Sequence, residues 1–162
     1  MANDSAAGKY DLILTRVFAA PRELVWKAWT DPAQLAQWWG PKGFTNPVCE
    51  ADARAGGAMR IHMRGPDGTV YPMTGTFVEL IEPERIVFSS GPTDAEGKPL
   101  FDVLTTLTLI DRDGATELTL QAKVTSMTDV APQYLKGMRE GWAQTLDKFA
   151  EYIEHYERDA KN

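Results

Sequence analysis

YLKGMREGWAQTLDKFAEYIEHY, residues 134–156, is the stretch that decides the fold. Tyr134, Met138, Trp142, Leu146, Phe149, Ile153 and Tyr156 recur every three or four residues and make one apolar stripe. Lys136, Glu140, Asp147, Glu151 and Glu154 fall on the other side. The spacing predicts a helix from about Asp129 to Tyr156, roughly 40 Å long at ~1.5 Å per residue. A stripe of that length has to be covered by another large element.

The only candidate lies upstream. Residues 45–124 consist of short runs separated by turn signals at Ala55-Gly56-Gly57, Gly65-Pro66-Asp67-Gly68, Glu82-Pro83-Glu84, 91–99 and Asp113-Gly114. About six strands are predicted, near 45–52, 58–64, 70–81, 85–90, 100–111 and 115–124. Tight turns make consecutive strands antiparallel, and Asp113-Gly114 is the sharpest hairpin signal. The loop 90–99 is the longest and most polar, which makes it the candidate mobile segment.

Ahead of the strands, 10–18 alternates loosely through Leu12, Leu14 and Val17 and reads as a further strand. Pro21 suits a first helical turn, and Leu24, Val25, Ala28 and Trp29 follow at helical spacing. Asp31-Pro32 starts a second short helix carrying Leu35, Trp38 and Trp39, ended by Gly40-Pro41. The order is strand, two short helices, six strands, long helix. This is an α+β architecture: a curved antiparallel sheet of about seven strands wrapped around a long C-terminal helix. Such a grip leaves space between helix and sheet.

Composition sets the outer limits. The chain has 162 residues, fitting one domain over 9–158 after a floppy tail at 1–8. Its formal net charge of −6 disfavours nucleic acid and anionic membranes as general partners. The single cysteine, Cys49, excludes an intramolecular disulfide and reads as a small buried residue. No signal-peptide pattern and no long apolar run is present, so a cytoplasmic location without membrane insertion is expected.

Catalytic patterns are scarce. The histidines are His62 and His155, so a site needing three is not available. His155 reads as solvated near the helix end, and alternation turns Arg60, His62 and Arg64 to water when Met59, Ile61 and Met63 face inward. The serines match no nucleophile elbow, and the glycines match no phosphate or dinucleotide loop. No cofactor and no metal is expected. Glu79, between Val78 and Leu80, shares a face with Phe77 and Ile81 on strict alternation. A carboxylate there needs a cation, a donor or a shifted pKa. It is read either as an ion pair with an arginine of a neighbouring strand or as an acid/base.

Large soft side chains, by contrast, are plentiful: five tryptophans and six methionines. Met59, Met63, Met73, Met127 and Met138 fall where they would enclose the interior, a set that suits core packing or an adaptable apolar pocket. Gly137 and Gly141 each cost about 1 kcal/mol against Ala inside a helix. Either a close backbone approach or room for a cavity would account for them.

Four ordered stretches carry a family resemblance: VFAAPRELVWKAWTDPAQLAQWWGPKGF (17–44), GGAMRIHMRGPDG (56–68), GTFVELIEPERIVFS (75–89) and GMREGWAQTLDKFAEYI (137–153). The chain resembles the SRPBCC, or START-like, superfamily, and within it the branch named for the activator of heat-shock-protein-90 ATPase in its bacterial single-domain form. Trp38–Pro41 and Gly141-Trp142 are the most specific pieces. The resemblance implies a helix-grip fold with an internal cavity. Members of the superfamily bind lipids, sterols or polyketides, and some are cyclases or hydrolases.

Three functions follow as expectations. The first is a binding domain for a small apolar or aromatic molecule, entering near the loop 90–99 and the second short helix. Trp38, Phe44, Met63, Met73, Phe77, Phe88, Phe101, Met138 and Trp142 would line its pocket. The second is a cyclase or hydrolase using the same cavity, with Glu79, His62 and Arg60 as the only nameable proton carriers and no catalytic residue assigned. The third, a chaperone partner, rests on the family name, and the chain has no extra basic segment to hold a large acidic protein. Exposed tryptophans such as Trp26 would permit a homodimer.

Overall fold

The computed structural model describes residues 11–94, 96–98, 100–126 and 131–161, with side chains excepted at 126, 131–136 and 157–161. The expected tail 1–8, Tyr10, Pro99, Met127, Asp129 and the side chain of Tyr134 lie outside what is described. Strand β1 (Leu12–Phe18) leads into helices α1 (Arg22–Thr30) and α2 (Pro32–Trp38). Six strands follow: β2 (Thr45–Ala51), β3 (Ala58–Arg64), β4 (Val70–Ile81), β5 (Arg85–Pro92), β6 (Asp102–Arg112) and β7 (Ala115–Ser126). Helix α3 (Ala131–Lys161) closes the chain.

All seven strands form one curved antiparallel sheet in the order β1-β7-β6-β5-β4-β3-β2. Helix α3 packs against β1, α1 and α2. This is the helix-grip arrangement.

Local chemistry explains the joints. Asp31 caps α2, its Oδ1 accepting the Ala33 N–H at 3.0 Å, with Pro32 at the first helical position. Pro21 sits one residue earlier than its expected helical place, as the N-cap of α1. At the β6–β7 turn both Asp113 (φ 55°) and Gly114 (φ 91°) are left-handed, as the tightest hairpins require. The expected long polar loop after residue 90 is shorter, because β5 continues to Pro92. Asp94 Oδ1 then accepts the N–H groups of Glu96 and Lys98, each at 2.9 Å, and organises the turn.

The core gathers where α3 meets the sheet and the short helices. Phe149 is fully buried, its ring 5.0 Å from Phe18, 4.7 Å from Trp38 and 5.8 Å from Trp29. Trp26 is buried rather than exposed, because α1 turns it inward with Val25 and Trp29. The tryptophan patch suggested for a homodimer is therefore not present at that position.

Candidate functional site

The inner face of the sheet changes character along its strands. On β6, Leu107 and Leu109 are fully buried in the core, while Val103 and Thr105 line a pocket. The same switch occurs on β3, from Met59 and Ile61 to Met63, and on β4, from Phe77 to Met73 and Tyr71. On α3, Leu146, Phe149 and Ile153 fill the interior, whereas Gly137, Met138, Gly141, Trp142 and Thr145 border open space. The pocket between these ends has a volume of about 380 Å³. Pro72, Ser90, Gly91 and Pro92 from the β4–β5 side and Trp39, Gly40, Pro41 and Phe44 from the α2–β2 connection complete its wall. Tyr71 and Gly137 are exposed and mark its mouth.

The connection 39–44 is held to α3 by a row of polar side chains. Lys148 Nζ donates to the carbonyls of Trp39 (3.4 Å), Pro41 (3.3 Å) and Phe44 (3.3 Å). Burial of the ammonium pulls its pKa below the ordinary lysine value. Gln144 Oε1 accepts the Lys42 N–H at 3.1 Å. Asp147 receives Arg16 at 2.8 Å and Lys42 at 3.7 Å. The hydrogen bond from Arg16 is the main reason that the Asp147 carboxyl titrates below its usual range. Asn46 Nδ2 binds the Trp39 carbonyl at 2.9 Å and that of Ala36 at 3.1 Å. Gly40 makes the turn itself: its φ is +93°, and a Cβ there would lie 3.0 Å from the sulfur of Met63.

Gly137 and Gly141 resolve the alternative posed by their sequence. A Cβ at Gly137 would meet nothing within 4 Å, and one at Gly141 only Pro41 Cγ at 3.8 Å, an ordinary contact. No backbone approaches closely. Both residues face the pocket, and side chains there would take up its space.

Five of the nine expected lining residues border the pocket: Phe44, Met63, Met73, Met138 and Trp142. The other four do not. Trp38 is fully buried beside Trp29 and Phe149, with its indole N–H on the Ala28 carbonyl at 3.3 Å. Its neighbour Trp39 takes the pocket place instead, since successive positions around a helix end point in different directions. Phe77 and Phe88 are cross-strand partners packed on each other at the filled end. Phe101 is buried just ahead of β6 and is outside the wall. The residues that were missed include Tyr71, Ser90, Val103 and Thr105. Only strand register, which sequence spacing does not supply, places them at this end.

The proposed proton carriers are elsewhere. The alternation that placed Glu79 beside Phe77 is broken by a bulge between these residues. The extra residue turns Glu79 and Ile81 outward and Leu80 inward, and Glu79 pairs with Arg85 at 2.7 Å in solvent. Arg60 is exposed and paired with Glu50 at 3.1 Å. Neither they nor His62 lines the pocket. Cys49 is half-buried, and burial pushes its thiol up to about 11, where thiolate chemistry is suppressed. Among the described residues, the pocket wall has no charged side chain, and no cluster of three His, Cys, Asp or Glu could hold a metal ion. Among the same residues, no helix is long and apolar enough to cross a membrane.

Comparison with known proteins bears on the fold and the family. No curated protein matches the chain. Among solved structures it is similar to a Chromobacterium violaceum protein at 33% identity and a TM-score of 0.78, covering 88% of this chain and 96% of that one. An Arthrobacter aurescens protein shares 26% identity with a TM-score of 0.78, covering 88% and 85% of the two chains. The AHSA1 protein of Silicibacter pomeroyi shares 26% identity with a TM-score of 0.77, covering 90% and 98%. Residues 19–154 match the family described as activator of Hsp90 ATPase homolog 1-like protein. With that match running from the end of β1 through most of α3, the chain belongs to the activator of Hsp90 ATPase homolog 1-like family.

Proposed function

We propose that this chain binds a small, largely apolar molecule in the pocket between α3 and strands β3 to β6. The observation that carries the reading is the pair Gly137 and Gly141. Each weakens the helix by about 1 kcal/mol relative to alanine, and neither relieves a contact. The residues preserve volume, and volume beside Met63, Met73, Met138 and Trp142 is useful to an apolar guest. Each 100 Å² of apolar ligand surface taken from water supplies about 2.5 kcal/mol. Methionine side chains re-pack around guests of different outline, which favours breadth over tight selectivity.

Calorimetric titration with naphthalene tests this, with tryptophan emission followed in parallel because Trp39 and Trp142 stand in the wall. Saturable binding that shifts the emission is expected. Gly141→Leu, which projects a side chain into the pocket while keeping helix propensity high, should abolish it. An absence of saturable heat, or unchanged binding in Gly141→Leu, overturns the reading.

A further inference from the structure

Two polar side chains in the pocket wall stand apart from the rest. Ser90 and Thr105 are 8% and 1% exposed, and both belong to the pocket wall; among the described residues, neither hydroxyl is tied up in a hydrogen bond. Thr145, the other hydroxyl on the inner wall, is already engaged, donating to the Gly141 carbonyl at 2.8 Å. Ser90 pairs with Val103, and Thr105 with Phe88, so Ser90 and Thr105 are diagonal neighbours on one face of β5 and β6. Diagonal positions of this kind lie roughly 7–8 Å apart, close enough for one small polar group to reach both hydroxyls. Gly75 fixes the position of Ser90 from the other side: a Cβ on Gly75 would sit 2.8 Å from that of Ser90. Hydroxyls that open onto the pocket can each donate or accept, so the pair can bond a polar group of a guest that enters.

We propose that Ser90 and Thr105 anchor the single neutral oxygen-bearing group, a hydroxyl or a carbonyl, of an otherwise apolar ligand. The assignment rests on the pocket being a binding site. It adds the class of molecule: an alcohol, phenol, ketone or ester in preference to a plain hydrocarbon or a carboxylate. A hydroxyl both donates and accepts, so it satisfies either group. A carboxylate would enter a wall that, among the described residues, has no Lys, Arg or His to balance its charge, and its desolvation would go uncompensated.

The test is calorimetry at neutral pH with naphthalene, naphthol and naphthoate, which share one ring system. Naphthol should bind about tenfold more tightly than naphthalene, the effect of one well-made hydrogen bond, and naphthoate more weakly than either. In the Ser90→Ala/Thr105→Val double variant, which keeps shape and removes both hydroxyls, the preference for naphthol over naphthalene should vanish. Thr105→Ser, tested beside Thr105→Val, should retain more of the preference. Naphthalene binding without a naphthol preference, or a preference that survives the double variant, overturns the anchor but leaves the pocket as a binding site. Naphthoate binding at least as tightly as naphthol also overturns it. Failure of all three probes to bind removes the binding site and the anchor together.

Discussion

The two ends of helix α3 work differently against the same sheet. From Leu146 to Ile153 its stripe is fully buried, and Phe149 by itself meets Phe18, Trp29 and Trp38. From Gly137 to Thr145 the same helix faces about 380 Å³ of space bordered by methionine, tryptophan and two glycines. One end holds the fold and the other leaves room in it. The difference teaches that an apolar stripe does not by itself mean a filled core. What decides is whether the opposite strands send in large side chains, as Leu107 and Phe77 do, or smaller ones, as Val103, Thr105 and Ser90 do.

The sharpest way to break that contrast is to truncate a large side chain at each end. Phe149→Ala should lower unfolding stability by about 3–5 kcal/mol, since its neighbours are locked by one another and cannot collapse into the gap. Met138→Ala should cost about 2 kcal/mol or less, because its surroundings already lack partners on one side. Urea unfolding measures both, and equal losses would mean that the two ends are packed alike. Next in size comes a gain. Gly137→Ala and Gly141→Ala should each stabilise by up to about 1 kcal/mol, a rise of roughly 2–4 °C in Tm per kcal/mol, while ligand affinity falls. A loss of stability would show that these positions need glycine for packing after all.

The smallest effect concerns the brace that holds the 39–44 wall. Asp147→Asn should lower stability at pH 7 by less than about 1 kcal/mol, because the pair with Arg16 is half exposed. Its folded carboxyl titrates below the ordinary value of 3.8, so the unfolded chain takes up the proton first as pH falls. The contribution is present above pH 3.8 and drains away below it, and wild type and Asp147→Asn should converge there. A gap that instead widens on acidification would contradict the assigned role of Arg16. Comparing urea midpoints across that range checks the sign.

Much of this architecture was legible from the chain alone. The three-and-four spacing of Met138, Trp142, Leu146, Phe149 and Ile153 requires a helix, and Asp113-Gly114 requires a tight hairpin, because both are local consequences of backbone geometry. The site was half legible. Phe44, Met63, Met73, Met138 and Trp142 border the pocket, as their residue type suggests, yet Trp38, Phe77, Phe88 and Phe101 have the same character and lie in the core or outside the wall. Glu79 was misplaced because one bulge residue reverses the facing of everything that follows it in β4.

The sequence by itself determined the elements, their order, and the acidic, methionine- and tryptophan-rich stock from which the interior is built. Those properties depend on neighbours within a few positions along the chain. Only the tertiary structure decided which end of α3 is packed and which is open, and that Gly137 and Gly141 look into space rather than onto backbone. The physical reason is that volume and hydrogen-bond partnership belong to facing surfaces. Whether Ser90 and Thr105 stand together depends on the register of β5 against β6, which is fixed when the sheet assembles.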